Sequence, residues 1–201
     1  MSSRLVRALP YAALAAAAAL VIVLGMQKRR LVERYERLQR RYTEARTQLL
    51  PGDYVPAVAT ATLGGQPVTV GQLPAEGRQV LLVYTVQCPY CRSSLPAWKR
   101  LAAAVDTIAA PPAEVYGVSL SREDSTRAYA AEHALPYPTV RFPDEKTVSL
   151  YRAGTVPLVL VLDEGGRVIY SRVGEMKQQA TIDSVIAAVR WRPPPPRSAA
   201  R

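Results

Sequence analysis

Hydrophobic and polar positions divide the chain into an apolar run, a basic amphipathic stretch, a globular region and a proline-rich tail. The apolar run follows a short N-terminal segment, 1–7, and covers 8–26, 19 residues without a charge. That length is close to the ~20 residues that span a bilayer core. The run ends in Gly25-Met26-Gln27 and three basic residues, which is a poor context for signal-peptide cleavage. We therefore predict a transmembrane signal anchor that is not cleaved.

The next segment, 27–50, has the pattern of an amphipathic helix that ends before Pro51-Gly52. Its apolar side chains recur at spacings of four and three, a heptad seam of nearly three repeats. The seam fits a short coiled coil that forms a homodimer through 31–49. It fits equally a single stalk helix that lies on the bilayer or packs on the domain. The seam consists of Leu31, Tyr35, Leu38, Tyr42, Ala45 and Leu49.

Residues 53–190 are predicted to form one α/β domain. Two short strand segments, Val58–Leu63 and Pro67–Val70, flank Gly64-Gly65-Gln66 and predict a hairpin. The order β-β-β-α-β-α-β-β-α predicts a central mixed sheet with helices on both faces. The other predicted strands are 79–86, 114–120, 158–162 and 167–173, and the predicted helices are 93–108, 122–134 and 181–190. The tail, 191–201, contains four consecutive prolines and is predicted to be disordered.

The net charge of +10 is concentrated after the apolar run, with eight Lys and Arg against three Glu between Lys28 and Arg46. Because this basic stretch adjoins the predicted anchor, membrane lipid is a better partner than nucleic acid, for which the chain has no binding motif. A positive-inside count places the following domain in the cytoplasm. Large domains, however, are translocated largely regardless of flanking charge. The charge pattern therefore leaves the topology open.

The chain has only two cysteines, Cys88 and Cys91, which directly follow a predicted buried strand and precede a predicted helix. A structural zinc site needs four ligands, and His133 is the one histidine available. A structural disulfide between these positions would close a very small loop and stabilise little. The spacing therefore indicates a redox-active pair. We predict no metal and no cofactor beyond the Cys88–Cys91 disulfide.

The position of the pair at a helix N-terminus suggests a different role for each thiol. The thiolate is the reactive species, and a helix N-terminus stabilises it through its unpaired N–H groups and dipole. We expect Cys88 to be exposed and to attack a substrate sulfur, and Cys91, one turn further, to be more buried and to resolve the mixed disulfide. Pro89 fits the first turn of the helix. Tyr90 is expected to be exposed beside the thiols.

With this strand–Cys-Pro-Tyr-Cys–helix unit, the chain resembles the thioredoxin superfamily, and within it the membrane-anchored, extracytoplasmic proteins of the TlpA/ResA type. The resemblance covers 54–189 and includes the leading hairpin, Leu95-Pro96, Thr155-Val156-Pro157 and Asp163-Glu164-Gly165-Gly166. It implies a thioredoxin-like fold. It also implies a cis peptide bond before Pro157, facing the cysteines, with Val156 and Pro157 docking an extended substrate.

Three features of the sequence depart from the thioredoxin pattern. Gln87 stands where thioredoxins have a tryptophan, and Leu82 stands where they keep a buried acid that helps proton transfer. The dipeptide between the cysteines, Pro89-Tyr90, is the one found in glutaredoxins. Because the potential depends on this dipeptide and on thiolate stabilisation, the direction of electron flow is open.

These observations together predict a thiol–disulfide oxidoreductase that is tethered to the cell inner membrane by a single span. The resemblance implies that the domain lies on the periplasmic side, reduces protein disulfides there, and receives electrons from a donor in the membrane. Three alternatives are a disulfide-forming oxidase, a peroxiredoxin-like peroxidase and a docking scaffold without turnover. The peroxidase lacks support because no Pro-x-x-x-Thr precedes Cys88, and an intact pair of cysteines argues against the scaffold.

Overall fold

The computed structural model describes residues 20, 23–34, 47–71 and 77–191. The chain divides into two compact units, Met1–Ala45 and Arg46–Arg201. In the first unit, residues 23–34 are helical. No helix within the described ranges is long and apolar enough to cross a membrane. Most of the predicted span at 8–26 and nearly all of the predicted tail at 191–201 lie outside the described residues.

The helix predicted to reach residue 50 does not extend that far. Residues 48–50 are irregular, and the backbone N–H of Leu50 donates to Asp53 Oδ2 at 2.9 Å. Leu49 is buried, with 3% of its surface exposed, in the same core as Val55 and Val168. The sequence prediction was wrong here because a core side chain of the domain happens to continue the heptad spacing. The four middle members of the seam lie outside the described residues.

The second unit is organised by a five-stranded mixed sheet in the order β5-β4-β3-β6-β7. Strands β4 and β5 run parallel to their neighbours, whereas β6 and β7 are antiparallel. All seven residues of the central strand are buried, which explains its nearly continuous apolar sequence. The strands are β3 (Arg78–Tyr84), β4 (Ala113–Ser119), β5 (Thr139–Arg141), β6 (Leu158–Asp163) and β7 (Val168–Val173).

Side chains of β3 alternate between two cores, one on each face of the sheet. Leu82 and Tyr84 pack on one face, and Leu81 and Val83 pack on the other. The first core lies beneath α1 (Pro89–Asp106), α2 (Glu123–Glu132) and α4 (Gln179–Arg190). The second lies beneath α3 (Glu145–Leu150) and the N-terminal hairpin. The prediction of a mixed sheet with helices on both faces is confirmed.

The leading hairpin, β1 (Val58–Ala61) and β2 (Pro67–Val70), is present as predicted and covers the β5 edge of the sheet. Thr60 Oγ1 donates to the Arg141 carbonyl at 2.8 Å, and the Leu63 N–H donates to the Thr139 carbonyl at 2.9 Å. These bonds pair polar backbone groups that an open sheet edge would leave unpaired.

Two elements were missing from the sequence prediction, and α1 begins four residues earlier than predicted. β5 has three residues and α3 has six, which is too short for a clear hydrophobic period. α3 carries a local signal nevertheless, because the Asp144 Oδ1 accepts from the Thr147 N–H at 2.7 Å as an N-cap. α1 begins at Pro89 instead of Ser93, so both cysteines belong to its N-terminus.

Candidate functional site

Cys88 lies at the junction between the central strand and α1, where it is the N-cap of the helix. Its Sγ accepts a hydrogen bond from the Cys91 N–H at 3.1 Å, and its own N–H donates to the Thr85 carbonyl at 3.2 Å. Pro89 occupies the first position of the helix, where its missing N–H costs no hydrogen bond. The sulfur therefore lies at the positive end of the helix dipole, beside a backbone donor that stabilises a thiolate.

The two thiols differ sharply in access to solvent. Cys88 is half-buried, whereas Cys91 is fully buried, with 0% exposed, among the side chains beneath α1. Burial, followed by the hydrogen bond with Cys88, raises the pKa of Cys91 to about 12, and the hydrogen bond with the Thr85 backbone acts in the opposite direction. Cys91 is therefore a protonated thiol near neutral pH. A client sulfur can reach only Cys88 without opening the helix.

The structure brings the predicted docking residues to the same place. The Val156–Pro157 peptide bond is cis, which confirms that expectation. The Cys88 thiol donates to the Val156 carbonyl at 3.9 Å, so the loop before β6 faces the loop after β3. This contact follows from the sheet order, because β6 pairs with β3. The Gly174 N–H donates to the Pro157 carbonyl at 2.8 Å and connects this loop to the end of β7.

The remaining predicted loop residues form the rim of the site. Gln87, Pro89 and Tyr90 are exposed, and the Tyr90 side chain has 61% of its surface open to solvent. The Tyr90 carbonyl accepts from Ser94 Oγ at 2.7 Å within the first turns of the helix. An exposed aromatic ring beside a half-buried thiol offers an apolar contact to a client chain.

Sequence reasoning missed a polar connection between α1 and the loop that follows β7. Buried Ser94 accepts from the Met176 N–H at 2.9 Å, and Ser93 Oγ donates to the carboxylate of Glu175. Lys177 forms an ion pair with the same carboxylate at 2.8 Å. The hydrogen bond from Lys177, followed by that from Ser93, lowers the pKa of Glu175. These partners are some 80 positions apart in sequence, and no local pattern joins them.

No group of three or more His, Cys, Asp or Glu side chains lies close enough to hold a metal ion within the described ranges. The reactive groups that the structure places at this site are two sulfurs. One is accessible and placed at a helix N-terminus, and its partner is buried one turn away. That arrangement suits stepwise thiol–disulfide exchange.

We expect a thiol reagent to modify Cys88 selectively in the native, reduced protein. At pH 8, one equivalent of iodoacetamide adduct should form on Cys88, because Cys91 is both buried and protonated. Peptide mass spectrometry after alkylation measures the adduct at each position. In urea both cysteines should react, which controls for reagent quality. Equal labelling of both cysteines in the native protein would contradict the difference in access.

Comparison with known proteins agrees with the thioredoxin-like fold. StoA from Bacillus subtilis superposes with a TM-score of 0.55 at 18% identity, over 67% of this chain and 99% of that one. A putative thiol:disulfide interchange protein DsbE from Chlorobium tepidum superposes with a TM-score of 0.58 at 22% identity, over 70% of this chain and 99% of that one. At such identities the similarity establishes the fold alone.

Sequence comparison identifies the family. The methylamine utilization protein MauD of Methylophilus methylotrophus is 25% identical over 140 residues, 69% of this chain. The chain matches 62% of the length of that curated relative. The profile of the AhpC/TSA family matches residues 51–171, which include the hairpin, both cysteines and the cis-proline. The chain therefore belongs to the AhpC/TSA family and has a thioredoxin-like fold.

Proposed function

We propose that this protein is a thiol–disulfide oxidoreductase that reduces protein disulfides through Cys88 and Cys91. One observation carries the proposal: a half-buried sulfur caps a helix and accepts the N–H of a second, fully buried cysteine at 3.1 Å. This geometry gives one thiol access to clients and keeps the other within one helical turn. Two proteins with a similar fold, the putative DsbE from Chlorobium tepidum and a protein from Bacteroides sp., are described as thiol:disulfide interchange proteins, in agreement with the proposal.

The reaction proceeds in two sulfur substitutions. The Cys88 thiolate attacks one sulfur of a client disulfide, which breaks that S–S bond, forms a mixed disulfide and releases the first client thiolate to take a proton. Cys91 then loses its proton to solvent and attacks Cys88 Sγ. This step forms the Cys88–Cys91 disulfide and releases the second client sulfur, which is protonated in turn. Two electrons pass from the cysteine pair to the client, and a separate donor must restore the dithiol.

The client is proposed to bind as an extended segment beside Val156 and Pro157. The Val156 carbonyl already faces Cys88, so a chain that lies along this loop brings its sulfur close to the thiolate. Main-chain pairing of this kind provides affinity without demanding one client sequence. The exposed Tyr90 ring and the rim residues Gln87 and Pro89 lie next to the same sulfur.

Location and partners belong to the same proposal. We infer from the sequence that the segment 8–26 anchors the protein in the cell inner membrane, in contact with lipid, and that the domain lies on the periplasmic side. The anchor would hold the domain near a membrane-embedded electron donor and so raise the effective concentration of that donor. A homodimer through 31–49 would form through the other members of the heptad seam. Leu49 would not take part, because it is buried in the domain.

The reduction potential of the full-length chain tests the direction of electron flow. Equilibration with glutathione or dithiothreitol buffers, with thiol alkylation as the readout, should give a value near the ~−270 mV of thioredoxin. A value near ~−120 mV would identify a disulfide-forming oxidase instead. A chain whose two cysteines never form a disulfide under oxidising buffers would refute thiol–disulfide exchange altogether.

A further inference from the structure

Four hydroxyl groups are buried around the site without hydrogen-bond partners. They belong to Tyr84, Tyr129, Tyr137 and Thr139, and each of these residues has 6% or less of its surface exposed. None of the four oxygens makes a hydrogen bond with any described residue. Buried hydroxyls are normally paired, because an unpaired one forfeits the hydrogen bonds that it makes to water. Four in one region therefore call for a functional explanation.

Two of these hydroxyls belong to residues that share the core of Cys91. Tyr84 ends the central strand, four residues before Cys88, and Tyr129 lies on α2. The two rings pack with their centroids 5.6 Å apart, and both belong to the same core cluster as Cys91. Strand β3 and α2 thus place two phenol groups in the core that also contains the buried sulfur of α1.

Cys91 contributes to a raised pKa at both tyrosines. Burial, with Cys91 next in size, raises the pKa of Tyr129 to about 12. Burial also raises the pKa of Tyr84. The neighbouring Thr139 hydroxyl lowers this pKa, and Cys91 raises it. The hydroxyls of Tyr84 and Thr139 do not, however, meet hydrogen-bond geometry. Both phenols therefore remain protonated near neutral pH, and each has a hydroxyl hydrogen to donate. The other titratable or charged groups around them are Cys88, Arg92, His133 and Tyr137.

The proposed reaction requires a thiolate at a position that burial disfavours. Cys91 has to lose its proton before it attacks the mixed disulfide, yet the position where thioredoxins keep a buried acid is Leu82, which is fully buried and apolar. A thiolate in such surroundings needs hydrogen-bond donors, because burial takes away the surrounding water that stabilises an exposed thiolate. The two unpaired phenols lie in the same core as this sulfur and are suitable donors.

We propose that the hydroxyls of Tyr84 and Tyr129 are a donor pair that stabilises the Cys91 thiolate by hydrogen bonds while Cys91 resolves the mixed disulfide. The inference rests on the proposed exchange function. The tyrosines are positioning residues that accept no proton; the Cys91 proton leaves to solvent. The bonds that form and break are those of the second substitution, from the client–Cys88 disulfide to the Cys88–Cys91 disulfide.

The variants Y84F, Y129F and Y84F/Y129F test this role, because each removes a hydroxyl and keeps the ring. The reduced full-length chain is mixed with 5,5'-dithiobis(2-nitrobenzoate), which gives one chromophore when Cys88 reacts and a second when Cys91 resolves the adduct. In the double variant, we expect the second release at neutral pH to be about tenfold slower and its pH midpoint to rise by about one unit. The first release should keep its wild-type rate.

Two control variants separate this effect from general packing changes. Tyr137 also has a buried, unpaired hydroxyl. Its pKa is raised by burial and then by Tyr84 and Tyr129, and Cys91 is not among these causes. Y137F should therefore retain the wild-type rate and pH midpoint of the second release. The second control is H133N, because the His133 ring lies 4.3 Å from that of Tyr129. H133N should also retain the wild-type pH midpoint of the second release.

The possible outcomes distinguish this inference from the function on which it rests. A wild-type pH midpoint in Y84F/Y129F would overturn the donor pair and leave the exchange function intact. So would an equal shift in Y137F, or a lower unfolding midpoint with an unchanged pH profile. If the wild-type chain releases only one chromophore, Cys91 does not resolve the adduct, and the proposed function fails first.

Discussion

Replacing Cys91 by serine is expected to trap the protein in a covalent complex with its client. In Cys91→Ser the thiol of Cys88 keeps its position at the N-terminus of α1 and still attacks the client disulfide. The mixed disulfide then persists, because the buried sulfur one turn away is missing and no other cysteine exists in the chain. Multiple turnover should fall by on the order of a thousandfold or more.

The measurement is a non-reducing gel of cells or extracts that express the variant, followed by identification of the adduct. Cys88→Ser is the matched control, since it also leaves one cysteine but removes the accessible one. It should form no adduct and should lose turnover to the same degree. Equal adducts from both variants would show that access does not decide the roles. Full biological activity in Cys88→Ser would favour a docking scaffold that needs no thiol.

The variant Trp98→Ala is expected to cause the largest loss of stability. Trp98 has 0% of its surface exposed and lies in the core beneath the site, with its ring centroid 6.2 Å from that of Tyr84. Removing a fully buried indole loses its apolar burial and leaves a cavity, which costs about 3–5 kcal/mol in comparable cores. Since domains are stable by only about 5–15 kcal/mol, much of the native population could be lost at physiological temperature.

Urea unfolding followed by far-ultraviolet circular dichroism measures this effect without relying on tryptophan fluorescence. The chain has a second tryptophan, Trp191, whose side chain is 42% exposed at the end of α4. Trp191→Ala is therefore the matched control and should cost less than about 1 kcal/mol, because its backbone carbonyl still accepts from Arg78. Equal unfolding midpoints for Trp98→Ala and the wild type would refute the role of this core.

The elements that the sequence predicts well are those with a local signal. The central strand is a continuous apolar run, because other strands and both cores cover it on all sides. The hairpin is marked by glycines between two short strands, and the cysteine spacing indicates exchange chemistry. Each of these signals lies within about ten residues, so tertiary contacts are not needed to recognise it. The position of the cysteine pair at a strand–helix junction and the fold class were accordingly accessible from sequence.

Where the prediction failed, the deciding contacts are distant in sequence or the element is too short for a period. β5 has only three residues and exists because it pairs with β4. Leu49 fits a heptad by spacing, yet its partner is the domain core. α1 begins at Pro89 and not at the predicted Ser93. Its N-cap is Cys88, and cysteine is not among the residue types that usually cap helices.

The sequence by itself determined the chemistry: two sulfurs, one turn apart, at the start of a helix that follows a buried strand. Only the tertiary structure decided what surrounds them. The Val156 carbonyl reaches Cys88 because β6 pairs with β3, and Glu175 reaches Ser93 because the end of β7 returns to α1. The rings of Tyr84 and Tyr129 pack together in the core that contains Cys91, because a strand and a helix meet there. Burial, and with it the high pKa of Cys91, arises only when the whole chain has folded.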